Sequence, residues 1–365
     1  MRVKRLRLRA FRNYETLDIA PDPQLTVLCG PNAQGKTNVL EALHLCCLGR
    51  SHRTSHDREL IRWGDEASAV QVFTEQSDGT HEVSVQIFRD ARRKKIVRVG
   101  GTKVARIGEL MGHLNGVLFS PEDLSIVKDG PGERRRFIDM ELSQLRPAYF
   151  YALQQYVRAL NQRNNLLREI AKDARLLSTL DAWDEQLARA GDVIIAHRRN
   201  YIARLSEEAQ RNHAAISGGE TLTIRYQSQF EEATSVAEAF YERLQASRSE
   251  DLRRMTTTVG AHRDDLRFDI GGKEARIFAS QGQQRTIVLA LKLAEIAAIE
   301  KERGETPVLM LDDVMSELDP RRREMLVERL CGVQTLVTCT DLSDLAGARA
   351  GAIYEVRAGT ISLIV

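Results

Sequence analysis

The chain has 365 residues, 42% of them hydrophobic, with 53 Lys and Arg against 51 Asp and Glu, a formal net charge of +2. That is enough apolar material for one large domain or two ordinary ones, and it excludes a disordered chain. A charge so near zero does not by itself announce a nucleic-acid binder, so any such role has to come from local clusters. The five cysteines (Cys29, Cys46, Cys47, Cys331 and Cys339) form no CxxC pair or metal-ligand spacing, as expected for reduced thiols in a cytoplasmic protein. The alternating first eleven residues predict neither a secretory signal nor a membrane span.

From Val3 to Phe11, Leu6, Leu8 and Ala10 alternate with Arg5, Arg7 and Arg9, the period of a half-buried strand. Leu25 to Cys29 reads as a buried strand running into a Gly-rich turn and an apolar helix over Lys36 to Leu48. Residues 66–104 alternate again, with Asp78-Gly79 and Gly100-Gly101 as hairpin turns, which predicts an antiparallel meander beside that turn.

The character changes near residue 120, where Ser120-Pro121-Glu122-Asp123 carries the signals of a helix start. Beyond Pro147, apolar residues at Tyr149, Leu153, Tyr156, Leu160, Leu167 and Ile170, and then at Leu180, Trp183, Leu187, Ala190, Ile194 and Tyr201, fall in alternating steps of three and four apart from the positions of Arg163 and His197. Two such helices separated by residues 173–178 predict an antiparallel hairpin with arms of roughly 25 residues, about 35 to 40 Å long. A strand over 221–226 and a helical pair over 234–256 follow, and α/β character returns from 258. The predicted fold is therefore α/β, in three stretches: 1–120, 121–257 as a helical insertion, and 258–365.

Gly30-Pro31-Asn32-Ala33-Gln34-Gly35-Lys36-Thr37 fits GxxxxGK[ST] between strand and helix. Its glycines let backbone N–H groups wrap phosphates, Lys36 reaches the β/γ-phosphates of ATP, and the Thr37 hydroxyl ligates Mg²⁺. Downstream by 275 residues from Thr37, Val308-Leu-Met-Leu-Asp312-Asp313 is an apolar strand ending in two acids. It suits a Walker B segment, with Asp312 in the Mg²⁺ shell and Asp313 orienting the attacking water.

Ser280-Gln281-Gly282-Gln283, ahead of an apolar helix over 286–299, resembles the signature motif of ABC-type ATPases, which binds the γ-phosphate held by a second subunit. Ser316-Glu317-Leu318-Asp319 resembles the D-loop of the same superfamily. Whole segments are similar to the RecF family of ABC/SMC-type ATPase heads: Leu8 to Tyr14, Phe119 to Leu124, Gly132 to Asp139, Gly260 to Asp265 and Ser280 to Arg285. The resemblance implies an ATP-dependent homodimer, nucleotide contacts by Arg12 and Asn13, and association with DNA at gaps and single-strand/double-strand junctions. It also implies action with RecR and RecO in loading RecA, in recombinational repair and SOS induction, in the cytoplasm at the nucleoid and away from any membrane.

Three departures from the wider ABC pattern predict a slow ATPase, stimulated by its partners and by DNA. Asp313 stands where a longer glutamate is usual, no glutamine lies near 119–122, and Thr340 occupies the neighbourhood of the usual histidine switch. The basic runs Arg92-Arg93-Lys94-Lys95 and Arg134-Arg135-Arg136 are the candidate DNA contacts. With 5% aromatic residues, sequence-independent binding to the DNA backbone is expected. A transport-type ABC ATPase, a small-molecule P-loop kinase and a non-hydrolysing SMC-like clamp are the competing readings.

Overall fold

The computed structural model describes residues 1–231, 233–329, 332–345 and 350–365, so Cys331 lies outside the described residues. Strand β1 (Arg2–Phe11) turns into β2 (Tyr14–Ile19), and β3 (Leu25–Cys29) leads through the Gly-rich loop into helix α1 (Lys36–Leu48). Strands β4 (Ala67–Gln76), β5 (Gly79–Phe88), β6 (Ile96–Val99) and β7 (Thr102–Lys103) make the meander, and β8 (Gly116–Phe119) follows. Gly100 and Gly101, both at positive φ, form the tight turn between β6 and β7, while Ser77-Asp78 make the β4–β5 turn and Gly79 already opens β5.

The chain then runs through α2 (Ser125–Lys128), α3 (Pro131–Leu145), α4 (Pro147–Ile170) and α5 (Leu180–Ser217) to β9 (Leu222–Gln227). Next come α6 (Val236–Ala246), α7 (Arg248–Arg254), β10 (Asp265–Ile270), β11 (Lys273–Glu274), α8 (Ala275–Phe278) and α9 (Gln281–Arg303). It closes with β12 (Val308–Leu311), α10 (Val314–Glu317), α11 (Pro320–Arg329), β13 (Thr335–Cys339), β14 (Ala352–Arg357) and β15 (Thr360–Leu363).

Two units result. The first, Met1–Asp123 with Leu291–Val365, holds two six-stranded sheets. One is the antiparallel β2-β1-β4-β5-β6-β7. The other, β15-β14-β3-β13-β12-β8, is parallel except for β15. Strands β12 and β13 are buried along their whole length, as a parallel sheet covered on both faces requires.

The second unit is Leu124–Ala290. Its upper boundary differs from the predicted one, because β10 pairs antiparallel with β9 from Asp265↔Gln227 to Ile270↔Leu222 and so draws residues 258–290 into the helical unit. The predicted helix start at Ser120 is a 3₁₀ turn over Pro121–Leu124 followed by the single turn of α2, and the long helix begins only at Pro131.

The predicted hairpin is present with unequal arms, 24 residues in α4 and 38 in α5. Its α4 seam runs through Tyr149, Ala152, Tyr156, Ala159, Arg163, Leu166, Leu167 and Ile170, so Leu167 and Ile170 hold their predicted places while Ala152 and Ala159 take those predicted for Leu153 and Leu160. The arms are not a free coiled coil, since α5 also packs on α6 and β9. Gly191 of α5 lies so close to Phe240 that an added Cβ would come within 2.2 Å of its ring. Arg163 fills its core step as the centre of a buried ionic cluster, bonding Asp184 at 2.6 Å and Asp251 at 2.7 Å.

Among the described residues no helix is long and apolar enough to cross a membrane.

Candidate nucleotide site

The phosphate-type loop leaves β3 at Cys29 and ends at Gly35, which precedes α1 in a left-handed conformation. Gly30 and Gly35 are both obligatory. A Cβ on Gly30 would lie 2.3 Å from the Val356 carbonyl oxygen, and one on Gly35, at φ +115°, 2.6 Å from the Asn13 amide nitrogen. Asn13 clamps the loop from behind, donating from Nδ2 to the Gln34 carbonyl at 2.7 Å and accepting from Asn38 at 2.8 Å. Tyr14 donates to the Gly35 carbonyl, and the Ala358 N–H donates to the Gln34 side chain. Lys36 is buried and its Nζ donates to the carbonyls of Gly30 (2.6 Å) and Pro31 (3.1 Å), which keeps the ammonium over the loop. Pro31, Asn32 and Ala33 form the exposed crest, with Ala33 also at positive φ.

In the parallel sheet one strand, β13, separates β3 from β12, and all three present their C-terminal ends at the same edge. Ligands bind outside the carboxyl ends of such strands. There the Thr37 hydroxyl donates to Asp312 Oδ1 at 2.8 Å. The same Oδ1 accepts from the Thr338 hydroxyl at 2.8 Å, while Thr338 Oγ1 accepts from the Asp313 N–H at 2.8 Å. Burial raises the Asp312 carboxyl above the ordinary range, with Asp313 and Glu122 adding to it against the two hydroxyls. Asp313 is a non-glycine residue in the left-handed region (φ 51°), a strained conformation of the kind that clusters at functional sites.

Thr338 was missed in the sequence. Thr340, the residue predicted there, lies exposed beyond the end of β13. The available signal was a hydroxyl inside an otherwise apolar buried strand, Thr335-Leu-Val-Thr-Cys339.

Arg12 does not reach the loop crest. Its guanidinium grips Glu41 of α1, one turn beyond Thr37, with Nε at 2.8 Å and Nη2 at 2.6 Å. Glu41 is fully buried, also accepts from Ser51 at 2.5 Å, and has Arg53 at 3.4 Å. These partners outweigh burial, which acts in the opposite direction, and hold its carboxyl below the ordinary range.

In the D-loop segment Leu318 is buried, whereas Ser316 and Asp319 are exposed. Ser316 donates to the Asp313 carbonyl, and Asp319 caps α11 through the Arg322 N–H. Glu317 ends α10.

The signature segment belongs to the second unit. Ser280 is exposed and forms a capping box with Gln283 at the head of α9: the Ser280 N–H donates to the Gln283 side chain at 2.9 Å and the Gln283 N–H to Ser280 Oγ at 3.2 Å. Gln283 also donates to Glu220, and Gln281 and Gly282 form the first turn.

The basic runs divide. Arg134 is not a surface residue: it is buried, bidentate to Asp265 at 2.6 and 3.0 Å. Arg135 donates to the Asp264 carbonyl at 2.7 Å. Of the three only Arg136 is exposed. The run lies in the first turns of α3, whose inner face takes the first arginine. In the other run Lys95 is bound to Asp57 and the Gly49 carbonyl, both at 2.7 Å, while Arg92, Arg93 and Lys94 face solvent.

A glycine loop, a buried lysine and an acid-ended strand at one edge of a parallel sheet define a P-loop ATPase head of the ABC/SMC kind. The family described as the RecF/RecN/SMC N terminal domain matches residues 2–360. The chain is 44% identical to the DNA replication and repair protein RecF of Acetivibrio thermocellus, covering 93% of this chain and 94% of that one. It is 44% identical to that of Lachnoclostridium phytofermentans, covering 99% of both. The structure of a "recombination mediator protein RecF-ATPrS in RecFOR pathway" matches with a TM-score of 0.93 at 34% identity, over 100% of this chain and 98% of that one. An Smc head domain from Pyrococcus furiosus shares the fold at TM-score 0.58 and 17% identity. The chain belongs to the RecF family of DNA replication and repair proteins.

Proposed function

We propose that this chain binds ATP with Mg²⁺ at the loop 30–37 and hydrolyses it slowly as a head-to-head homodimer on DNA. The observation that carries this is the Thr37–Asp312 pair, 2.8 Å apart across 275 residues of sequence. A hydroxyl from the loop and one buried acid, in contact at a sheet edge, are the two protein groups an octahedral Mg²⁺ between protein and phosphates calls for. Bound there, Mg²⁺ would neutralise charge on the phosphate oxygens.

Lys36, held over the loop, is poised to exchange its carbonyl partners for phosphate. Thr338 aims Asp312 and pins the backbone of Asp313, whose carboxylate takes the role of orienting water. The shorter reach of Asp313 fits slow turnover. Ser280, exposed at the head of α9 with its hydroxyl accepting from the Gln283 N–H, is suited to a phosphate delivered by a second subunit.

Relatives described as recombination mediators in a RecFOR pathway support RecR and RecO as partners, and the family resemblance extends the proposal to loading of RecA at gapped DNA in the cytoplasm at the nucleoid. Phosphate release with and without DNA, compared with Lys36→Arg and Asp312→Asn, tests the site, and equal rates in all three proteins would refute it. Sizing with ATP, with ADP and as Ser280→Arg tests the dimer: ATP is expected to shift the wild type to twice the mass and to leave Ser280→Arg a monomer. Self-association indifferent to ATP and to Ser280 would refute the shared site.

A further inference from the structure

The chain has two tryptophans. Trp183 packs against the helical cluster of Leu166, Leu167, Ile170 and Leu180. Trp63, in contrast, is 94% exposed, the most exposed large apolar side chain described. Leaving an indole in water forgoes the burial that large apolar side chains ordinarily gain. The turn that carries it is rigid. The Asp65 N–H donates to the Arg62 carbonyl, and the Arg62 N–H donates to the Ala10 carbonyl of β1 at 2.8 Å. Arg89 braces the turn from outside, donating to the carbonyls of Asp65 (2.7 Å) and Arg62 (3.1 Å).

Strand pairing Ala67↔Phe88 brings this turn and the loop 89–95 to one end of the β4–β5 hairpin. Arg92, Arg93 and Lys94 are exposed on that loop. The Arg93 guanidinium lies over the Phe88 ring, 3.7 Å from its centre, which fixes its position. Two acids at this end are engaged, Asp65 with Arg62 and Asp90 with Arg92, while Glu66 is exposed just before β4. Exposed pairs of that kind are worth little, so phosphate competes for their arginines at small cost. A flat, rigidly presented aromatic beside exposed cations is the chemistry that recognises unpaired nucleotides, by stacking on a base while the cations follow the backbone.

We propose that Trp63 stacks on an unpaired DNA base, with Arg92, Arg93 and Lys94 on the flanking phosphates, so that this end of the antiparallel sheet distinguishes a single-stranded tail from blunt duplex. Stacking is tolerant of base identity, so the contact remains sequence-independent. The inference rests on the DNA association proposed above and adds a base contact to a surface expected to touch the backbone alone.

The test is low-salt titration of the full chain with a thymidine-tailed duplex and a blunt duplex of equal length, in wild type, Trp63→Ala and Trp63→Phe, with ATP hydrolysis measured in parallel. A stacked base contributes about 1–3 kcal/mol, so Trp63→Ala should lose roughly 5- to 150-fold in affinity for tailed DNA. Trp63→Phe should retain most of that affinity, and binding of blunt duplex and basal hydrolysis should be unchanged. Indole emission should be quenched by tailed DNA in the wild type and not in Trp63→Phe. Wild-type affinity for tailed DNA in Trp63→Ala overturns the inference. A wild type that hydrolyses ATP yet binds neither DNA overturns the DNA reading itself.

Discussion

Replacing Arg12 with alanine separates two roles for this residue, one on the nucleotide and one on the fold. The guanidinium makes two charge-assisted hydrogen bonds to Glu41, whose carboxylate has no solvent exposure, while the Arg12 side chain is one-fifth exposed. Stranding a carboxylate in a buried pair costs about 3–5 kcal/mol. Ser51 and Arg53 remain to Glu41, and part of the arginine already faces water, so about 2–3 kcal/mol is the expected loss. For a unit of this size that is a fall in Tm of about 4–12 °C. Adding Glu41→Gln should restore a substantial part, because the stranded charge is gone. The folded-state pKa of Glu41 is depressed, so its contribution is complete above its unfolded value of 4.5 and fades as pH falls through the folded one. The gap between wild type and Arg12→Ala should therefore be full near neutrality and be lost in acid, once the carboxyl is protonated in both. Thermal unfolding without nucleotide reads all of this. An unchanged Tm together with a tenfold or greater loss of ATP affinity would show that Arg12 works on the nucleotide rather than on α1.

Thr338→Val removes one hydrogen bond to the Asp312 carboxylate and one from the Asp313 N–H, and should slow turnover by about 10- to 150-fold, the equivalent of 1.5–3 kcal/mol. Thr340→Val should stay within about twofold, since its side chain lies exposed beyond the end of β13; steady-state phosphate release distinguishes the two. Asp312→Asn should abolish hydrolysis yet raise the unfolding temperature of the nucleotide-free protein near neutrality. Burial raises the Asp312 pKa, so the charged form costs stability above the unfolded pKa, and the advantage of the amide should vanish as pH falls below 3.8.

What was legible in the sequence was local. The loop 30–37, the acid-ended run 308–313 and the meander each announce themselves through residues adjacent in the chain, because phosphate wrapping, strand burial and tight turns are set within about ten residues. What was hidden depends on partners far apart. Arg134 reads as the head of a basic run until Asp265, 131 residues away, draws it inside. The unit boundary moves because β10 pairs with β9 across an intervening helical pair. The helical seam slips by one residue to Ala152 and Ala159, since bulk is set by what packs opposite, and periodicity cannot separate neighbouring positions.

The order of strands explains why the site needs a residue that no motif names. Strand β13 lies between the loop strand β3 and the acid strand β12, so the two halves of the site do not touch through the sheet. The Thr37 hydroxyl crosses to Asp312 beyond the strand ends, and a residue of β13 can steady the acids from between. Thr338, in register with Leu28 on β3, donates to one acid and accepts from the backbone of the next. Its single hydroxyl thus fixes the Asp312 carboxylate toward Thr37 and helps hold Asp313 in its strained conformation. Serine could supply the same two bonds but with a freer χ1, whereas the β-branched threonine is restricted in rotamer and suited to a strand. The two acids are therefore aligned from the middle strand of the three, and a change at Thr338 should disturb both together rather than either one alone.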